Sequence, residues 1–145
     1  DIEAMSEVAN SAFALPGVSD GGAHMKFVTF GRYPTEFLSL LVRDHNIMSL
    51  EQAHWRLSAY PAQAAGIRDR GYLAEGMPAD ILVYDYDGLK ILDPEPMHDF
   101  PANDWRLACK AEGYRYTIVN GEVTFEDSIC TNATPGKLLR HGQSA

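Results

Sequence analysis

The stretch that most constrains this chain is the apolar run Phe13-Ala14-Leu15-Pro16-Gly17-Val18, which ends in Ser19-Asp20 and breaks into Gly21-Gly22-Ala23-His24. Pro16 and Gly17 keep the run short, so it is at most a brief strand. A strand that stops at an acid and dissolves into glycines delivers a carboxylate to an open strand end, and parallel α/β architectures keep their chemistry there. On that ground Asp20 is the candidate catalytic residue. Upstream, Ile2, Met5, Val8 and Ala12 recur at near-helical spacing between polar residues. This predicts an amphipathic helix feeding the strand, the αβ half of an α/β unit.

Pro34 suits the first turn of a helix whose apolar residues are Phe37, Leu38, Leu40, Leu41 and Val42, with Asn46 as its terminator. Ser49-Leu50-Glu51-Gln52 fits a capping box, in which the Ser49 hydroxyl bonds a free amide and Gln52 reaches back. Leu50, Ala53 and Leu57 form the buried stripe of that helix. Pro61 is expected to restart a short helix, Ala62 to Ala65, closed by Gly66 in the left-handed conformation. The character changes at about Arg68. Residues 79–86, with Ile81-Leu82-Val83-Tyr84 between Asp80 and Asp85, read as a strand buried on both faces, the two aspartates bracketing it and capping turns. Residues 88–104 hold Pro94, Pro96 and Pro101 and read mostly as loop. Tyr114, Tyr116 and Ile118 alternate with Arg115, Thr117 and Val119 as a strand, and the two tyrosines read as core. Asn120-Gly121 supplies a two-residue turn, and Val123 and Phe125 return as the partner strand. The tail from Thr131 is polar.

The totals narrow the function classes. A chain of 145 residues holds one domain with a real core, or two pieces of larger domains. A net charge of −8, with 12 basic residues scattered along the chain, argues against nucleic acid, which needs clustered Lys and Arg. No apolar run approaches the roughly 18 residues of a membrane span. The opening Asp1-Ile2-Glu3 has no starting Met and no basic region, as in an internal fragment rather than a secreted precursor. Cys109 and Cys130 stand apart without metal or redox spacing, which predicts two buried, reduced thiols in a cytoplasmic protein.

Several phrases, taken in order, resemble the C-terminal portion of an amidohydrolase-superfamily enzyme, closest to the N-acyl-D-amino-acid deacylase (D-aminoacylase) branch. They are Leu15-Pro16-Gly17-Val18-Ser19-Asp20-Gly21-Gly22-Ala23-His24, Met48-Ser49-Leu50-Glu51-Gln52-Ala53, Tyr60-Pro61-Ala62 leading to Gly66, and Asp69-Arg70-Gly71. Glu75-Gly76-Met77-Pro78-Ala79-Asp80-Ile81-Leu82-Val83-Tyr84-Asp85, Val119-Asn120-Gly121 and Pro135-Gly136-Lys137-Leu138-Leu139-Arg140 continue the match. The resemblance implies an α/β fold. Residues 1–67 would be the last elements of a metal-dependent (β/α)₈ TIM barrel, and residues 68–145 the C-terminal part of a small β-sandwich and tail. It also implies zinc, as one or two divalent ions, and hydrolysis of a non-peptide C–N amide bond in a small molecule, an N-acyl-D-amino acid being the expected substrate. Asp20 matches the aspartate that ends the last barrel strand and contacts the metal or its water. That aspartate takes a proton as hydroxide attacks the amide carbonyl and passes it to the leaving amine.

Members of this branch often carry His-Pro-Arg after the aspartate, the Arg gripping the substrate's carboxylate. Here His24-Met25-Lys26 stands in that place. His24 is the candidate to line the pocket or capture substrate. Lys26 is a candidate substrate cation without the bidentate fork of arginine, and Arg32 is the second. The five histidines are His24, His45, His54, His98 and His141, and none forms the family's His-x-His pair. The chain alone is therefore expected not to assemble the metal centre, and an upstream barrel segment of the same protein, or another chain, is the expected partner. Two further readings stand beside this one. The first is a cyclic-amide hydrolase of dihydropyrimidinase type, against which the glycine-rich loop after Asp20 and the closing Pro-Gly-x-Leu-Leu-Arg phrase argue. The second is a non-catalytic fold and association module, in which a barrel strand without neighbours exposes an apolar edge and pairs with other copies as a homo-oligomer.

Overall fold

The computed structural model describes residues 1–17, 19, 24–27 and 30–140. Helix α1 (Ile2–Asn10) is capped by Asp1, whose carboxylate accepts the Glu3 amide at 3.1 Å. Beyond it, residues 13–17 run as turn and extended chain without a ladder, and Val18 lies outside the described residues. The strand expected there is not formed on 13–17. A parallel strand exists through hydrogen bonds to neighbours on either side, and every ladder among the described residues is antiparallel and begins at Ile81 or later.

Helix α2 (Tyr33–Glu36) holds Pro34 in its first turn and continues without a break into a π-wound segment, Phe37–Asp44. It ends where Asn46 adopts φ 48°, the terminator its sequence predicts. Helix α3 (Leu50–His54) starts at Ser49, whose hydroxyl accepts the Gln52 amide at 3.2 Å. A second π-wound segment, Trp55–Ala59, carries it into α4 (Tyr60–Ala64), which stops at Gly66, φ 72°. Pro61 therefore restarts nothing: it sits inside one continuous helix, with Tyr60 still helical at φ −63° and ψ −50°. Proline has no N–H for the usual helical bond, and the wider winding just before it displaces the carbonyl its ring would strike.

The core forms where these helices meet the β half. Phe37, Leu38, Leu41, Val42, Met48 and Ala53 bury together with Leu89, itself only 1% exposed, and Tyr84, Tyr86 and Tyr114 pack against the cluster. Leu89 lies on a loop that Arg43 fixes from the helical side. Its Nη1 donates to the carbonyls of Tyr86 (3.2 Å), Asp87 (3.3 Å) and Leu89 (2.7 Å). The same loop is pressed by Gly113, at φ 95°, whose place no other residue fits because a Cβ would come within 2.8 Å of the Gly88 backbone. Two polar pairs cross the seam between the halves: Thr35 Oγ1 with the Tyr114 hydroxyl at 2.7 Å, and His54 Nε2 with the Tyr84 hydroxyl at 2.5 Å.

The strands are β1 (Ile81–Tyr84), β2 (Lys90–Ile91), β3 (Glu95–Met97), β4 (Arg106–Ala108), β5 (Ala111–Glu112), β6 (Tyr114–Val119), β7 (Glu122–Glu126) and β8 (Ile129–Cys130). They make one four-stranded sheet, β1-β6-β7-β8, and two ribbons, β2-β5 and β3-β4. The β6–β7 turn is the expected Asn120-Gly121, both at positive φ (48° and 82°). Leu82 and Val83 of strand β1 are 43% and 41% exposed, so it is not buried on both faces: among the described residues it pairs only with β6. The ribbons interrupt the region read as loop, and strands of two or three residues are too short to leave a period in the sequence. Asp80 and Asp85 cap as expected, Asp80 accepting the Asn120 amide at 2.8 Å and Asp85 the Gly88 amide at 3.2 Å. Both cysteines are free, yet they are not buried: Cys130 is exposed on the short outer strand β8, and Cys109 is half-buried. No described helix is long and apolar enough to cross a membrane.

Two predictions follow from the seam. Leu89→Ala should cost about 2–5 kcal/mol in urea unfolding, since it empties a packed site. Burial holds the His54 imidazole below its usual range, the Glu51 carboxylate opposing more weakly. The unfolded chain therefore takes up the proton more readily than the folded one. The stability His54 contributes is complete above about pH 6.5 and is lost as pH falls through the folded value. Unfolding curves from about pH 7.5 to about pH 5 should show this loss in the wild type and not in His54→Gln. Equal slopes in the two would assign it to other groups.

Candidate functional site

Residues 10–14, which precede Asp20 in the chain, are held by side chains, and no ladder forms on 13–17. Arg56 and Tyr60 follow Ala53 at intervals of three and four, so all three share one face of their helix. That face meets the end of α1. Arg56, 4% exposed, donates from Nη2 to the Asn10 carbonyl (2.9 Å) and from Nη1 to those of Ser11 (3.0 Å) and Ala14 (3.3 Å). The Tyr60 hydroxyl donates to the Ala12 carbonyl at 2.7 Å, and Asn10 Nδ2 to the Ile47 carbonyl at 3.1 Å. The last carbonyls of a helix lack intrahelical donors and carry the negative end of its dipole, and a guanidinium answers both needs. Sequence reading passed over Arg56 and Tyr60. Their signal was the shared spacing with Ala53.

Asp20 and the glycines after it lie outside the described residues. His24 is exposed and heads a turn, its carbonyl accepting the Phe27 amide at 2.9 Å. Lys26 is already engaged: Nζ sits 2.6 Å from Asp104 Oδ1 and 5.5 Å from the centre of the Trp105 ring. That hydrogen bond, followed by one from the Trp105 amide, holds the Asp104 carboxyl below its usual range. The Lys26 expected to meet a substrate anion thus meets a carboxylate of its own chain, 78 residues away. Arg32 Nε stands 3.6 Å from Glu36 Oε2, one turn on, and has no hydrogen-bond partner among the described residues. Of the two cations, Arg32 is the one whose only described partner is its ion pair with Glu36, the Nε making no hydrogen bond among the described residues. No hydrogen bond or ion pair joins His24, Lys26 and Arg32 among the described residues.

Among those residues no group of three or more His, Cys, Asp or Glu side chains could hold a metal ion. His54 faces Tyr84, His98 Nδ1 is 3.1 Å from the Asn103 carbonyl oxygen, and His45 is exposed. The described residues do not fit a zinc centre. A groove of about 430 Å³ runs beside the segment leading to Asp20, lined by Met5, Val8, Ala9, Leu15, Phe37 and Leu41 among others. Its walls are apolar and can pack hydrocarbon, but they offer no acid or base.

The sequence model of the amidohydrolase family matches residues 12–125. Over 110 residues the chain is 34% identical to an N-acyl-D-glutamate deacylase of Alcaligenes xylosoxydans xylosoxydans, which covers 76% of this chain and 20% of that protein. Over 94 residues it is 29% identical to an allantoinase of Solibacter usitatus (strain Ellin6076), covering 64% of this chain and 21% of the relative. The matched region is thus about one fifth of the length of these curated relatives. No solved structure matches the chain.

Arg56→Met should lower stability by about 2–4 kcal/mol in urea unfolding, because it strips a buried charged donor from three carbonyls at once. Arg56→Lys should recover only part of that loss, since one ammonium does not span the three. A loss within a few tenths of a kcal/mol for Arg56→Met would show that the α1 terminus is held by other contacts.

Proposed function

The chain belongs to the amidohydrolase family, and from that premise we propose that it carries one side of a site that hydrolyses a C–N amide bond in a small molecule. The supporting observation is the extent of the family match, which takes in both the Asp20 segment and the hairpin at Asn120-Gly121. Membership implies a barrel-related fold. We assign residues 1–67 to the closing elements of that barrel and 68–145 to the β domain beside it. The similarity to an N-acyl-D-glutamate deacylase favours an N-acyl-D-amino acid as substrate.

Asp20 is the proposed base. A water oxygen bonds the amide carbon while the Asp20 carboxylate takes the water's proton, and the same proton goes to nitrogen as the C–N bond breaks. Arg32, whose Nε makes no hydrogen bond among the described residues, is the proposed partner of the substrate carboxylate, and His24 lines the pocket. Zinc, where the working enzyme holds it, would draw on Asp20 and on ligands from beyond this chain, since no group of the described residues suits it, and it would lower the pKa of the attacking water. An upstream barrel segment or another chain would supply them, and the apolar groove and the 98% exposed Phe13 suit contact with that part. One observation favours a second reading, a cyclic-amide hydrolase: the match to an allantoinase.

Given zinc and N-acyl-D-glutamate, the 145-residue chain alone should release no D-glutamate and should purify without stoichiometric zinc. The complete barrel containing it should turn over, and Asp20→Asn there should lower kcat by about 10²–10⁴ with most of the metal retained. Turnover by the chain alone would sink the shared-site reading. Near-normal kcat in Asp20→Asn would remove the aspartate from its role as base.

A further inference from the structure

We propose that the β3–β4 ribbon latches the segment following Asp20, which makes Lys26, Asp104 and Trp105 positioning residues rather than substrate contacts. The catalytic meaning of the latch rests on Asp20 being the base, while the latch itself does not. Three contacts converge on two consecutive residues, Met25 and Lys26, that follow Asp20 closely in the chain. Strand β4 has β3 on one edge, with Leu107 opposite Pro96, and the Leu107 amide donates at 2.7 Å to the Met25 carbonyl on the other. Met25 thus covers a strand edge that would otherwise be open at that residue. Lys26 then reaches Asp104 and lies over Trp105.

The ribbon is built to receive this cation. Asp104 Oδ1 accepts the Trp105 amide at 2.9 Å, which orients the carboxylate on its own loop. The ribbon's other ion pairs are internal, Arg106 with Asp99 at 2.7 Å and Lys110 with Glu95 at 2.5 Å, whereas Asp104 is given to Lys26. An exposed pair is weak alone and screened by salt. Joined to a main-chain bond and a ring face, it ties the segment after Asp20 to the β half, and that tie should respond to ionic strength.

Trypsin cleavage after Lys26, measured on the full chain against cleavage after exposed Lys137, reads the latch directly. In the wild type it should be slow at low salt and rise as salt is added. Asp104→Asn should be cut about fivefold faster at low salt, with little further response to salt, and Asp104→Glu should restore slow cutting. Trp105→Leu should give an intermediate rate, and exchange of the Leu107 amide should quicken in Asp104→Asn. Wild-type cutting of Asp104→Asn at low salt overturns the latch. In the complete enzyme Asp104→Asn should lower kcat and leave KM near the wild-type value. A raised KM with unchanged kcat overturns the positioning role in favour of direct substrate contact. Failure of the Asp20 reading appears separately, as normal turnover in Asp20→Asn, and leaves the proteolysis result intact.

Discussion

A guanidinium sealed among main-chain carbonyls holds the first part of this molecule in place. Helix α1 buries none of its residues fully, and residues 13–17 after it join no sheet. Ordinary hydrophobic docking is therefore thin here, and Arg56 makes up the difference by satisfying three carbonyls at once. Arginine suits the task because its charge is delocalised and weakly hydrated, so enclosing it costs less than enclosing an ammonium. In the sequence, the proposed base follows the residues that this side chain anchors.

The same device appears again at the seam. Arg43 also donates to three carbonyls, those of the loop that delivers Leu89 into the helical core. In both places a helix sends an arginine into irregular chain whose own backbone groups have no ladder or helix to satisfy them. Regular elements supply the core, and arginines extend their order to the loops. Lys26 and Asp104 apply a weaker, exposed version of this logic to the segment after Asp20.

What the sequence made legible was local. The helix over residues 33–44, the Ser49 cap and the Asn120-Gly121 hairpin each depend on chemistry within a few residues, and each is present. The strand at 13–18 depends on neighbours, so its apolar pattern promised more than 13–17 deliver. Pro61 was misread because propensity alone does not show that wide winding can precede a proline. Lys26 looked like a free cation because its partner is 78 residues away. Of the candidate site, the residue types could be named from the sequence. The contacts described around it could not, because those of Arg56, Tyr60 and Asp104 exist only once helices and ribbon are in place.

The Asn120-Gly121 turn carries one more consequence. An asparagine before glycine is prone to slow chemical ageing: the glycine nitrogen attacks the side-chain carboxamide, ammonia leaves, and the resulting ring opens to aspartate or its isomer. In this hairpin the Gly121 nitrogen donates its hydrogen to the Ala79 carbonyl at 3.0 Å, and Asn120 Nδ2 is fixed on the Pro135 carbonyl at 2.8 Å. Nitrogen and carboxamide are each committed elsewhere. The bonds that tie the turn to the strand entrance and to the C-terminal tail thus also protect its most perishable residue from deamidation.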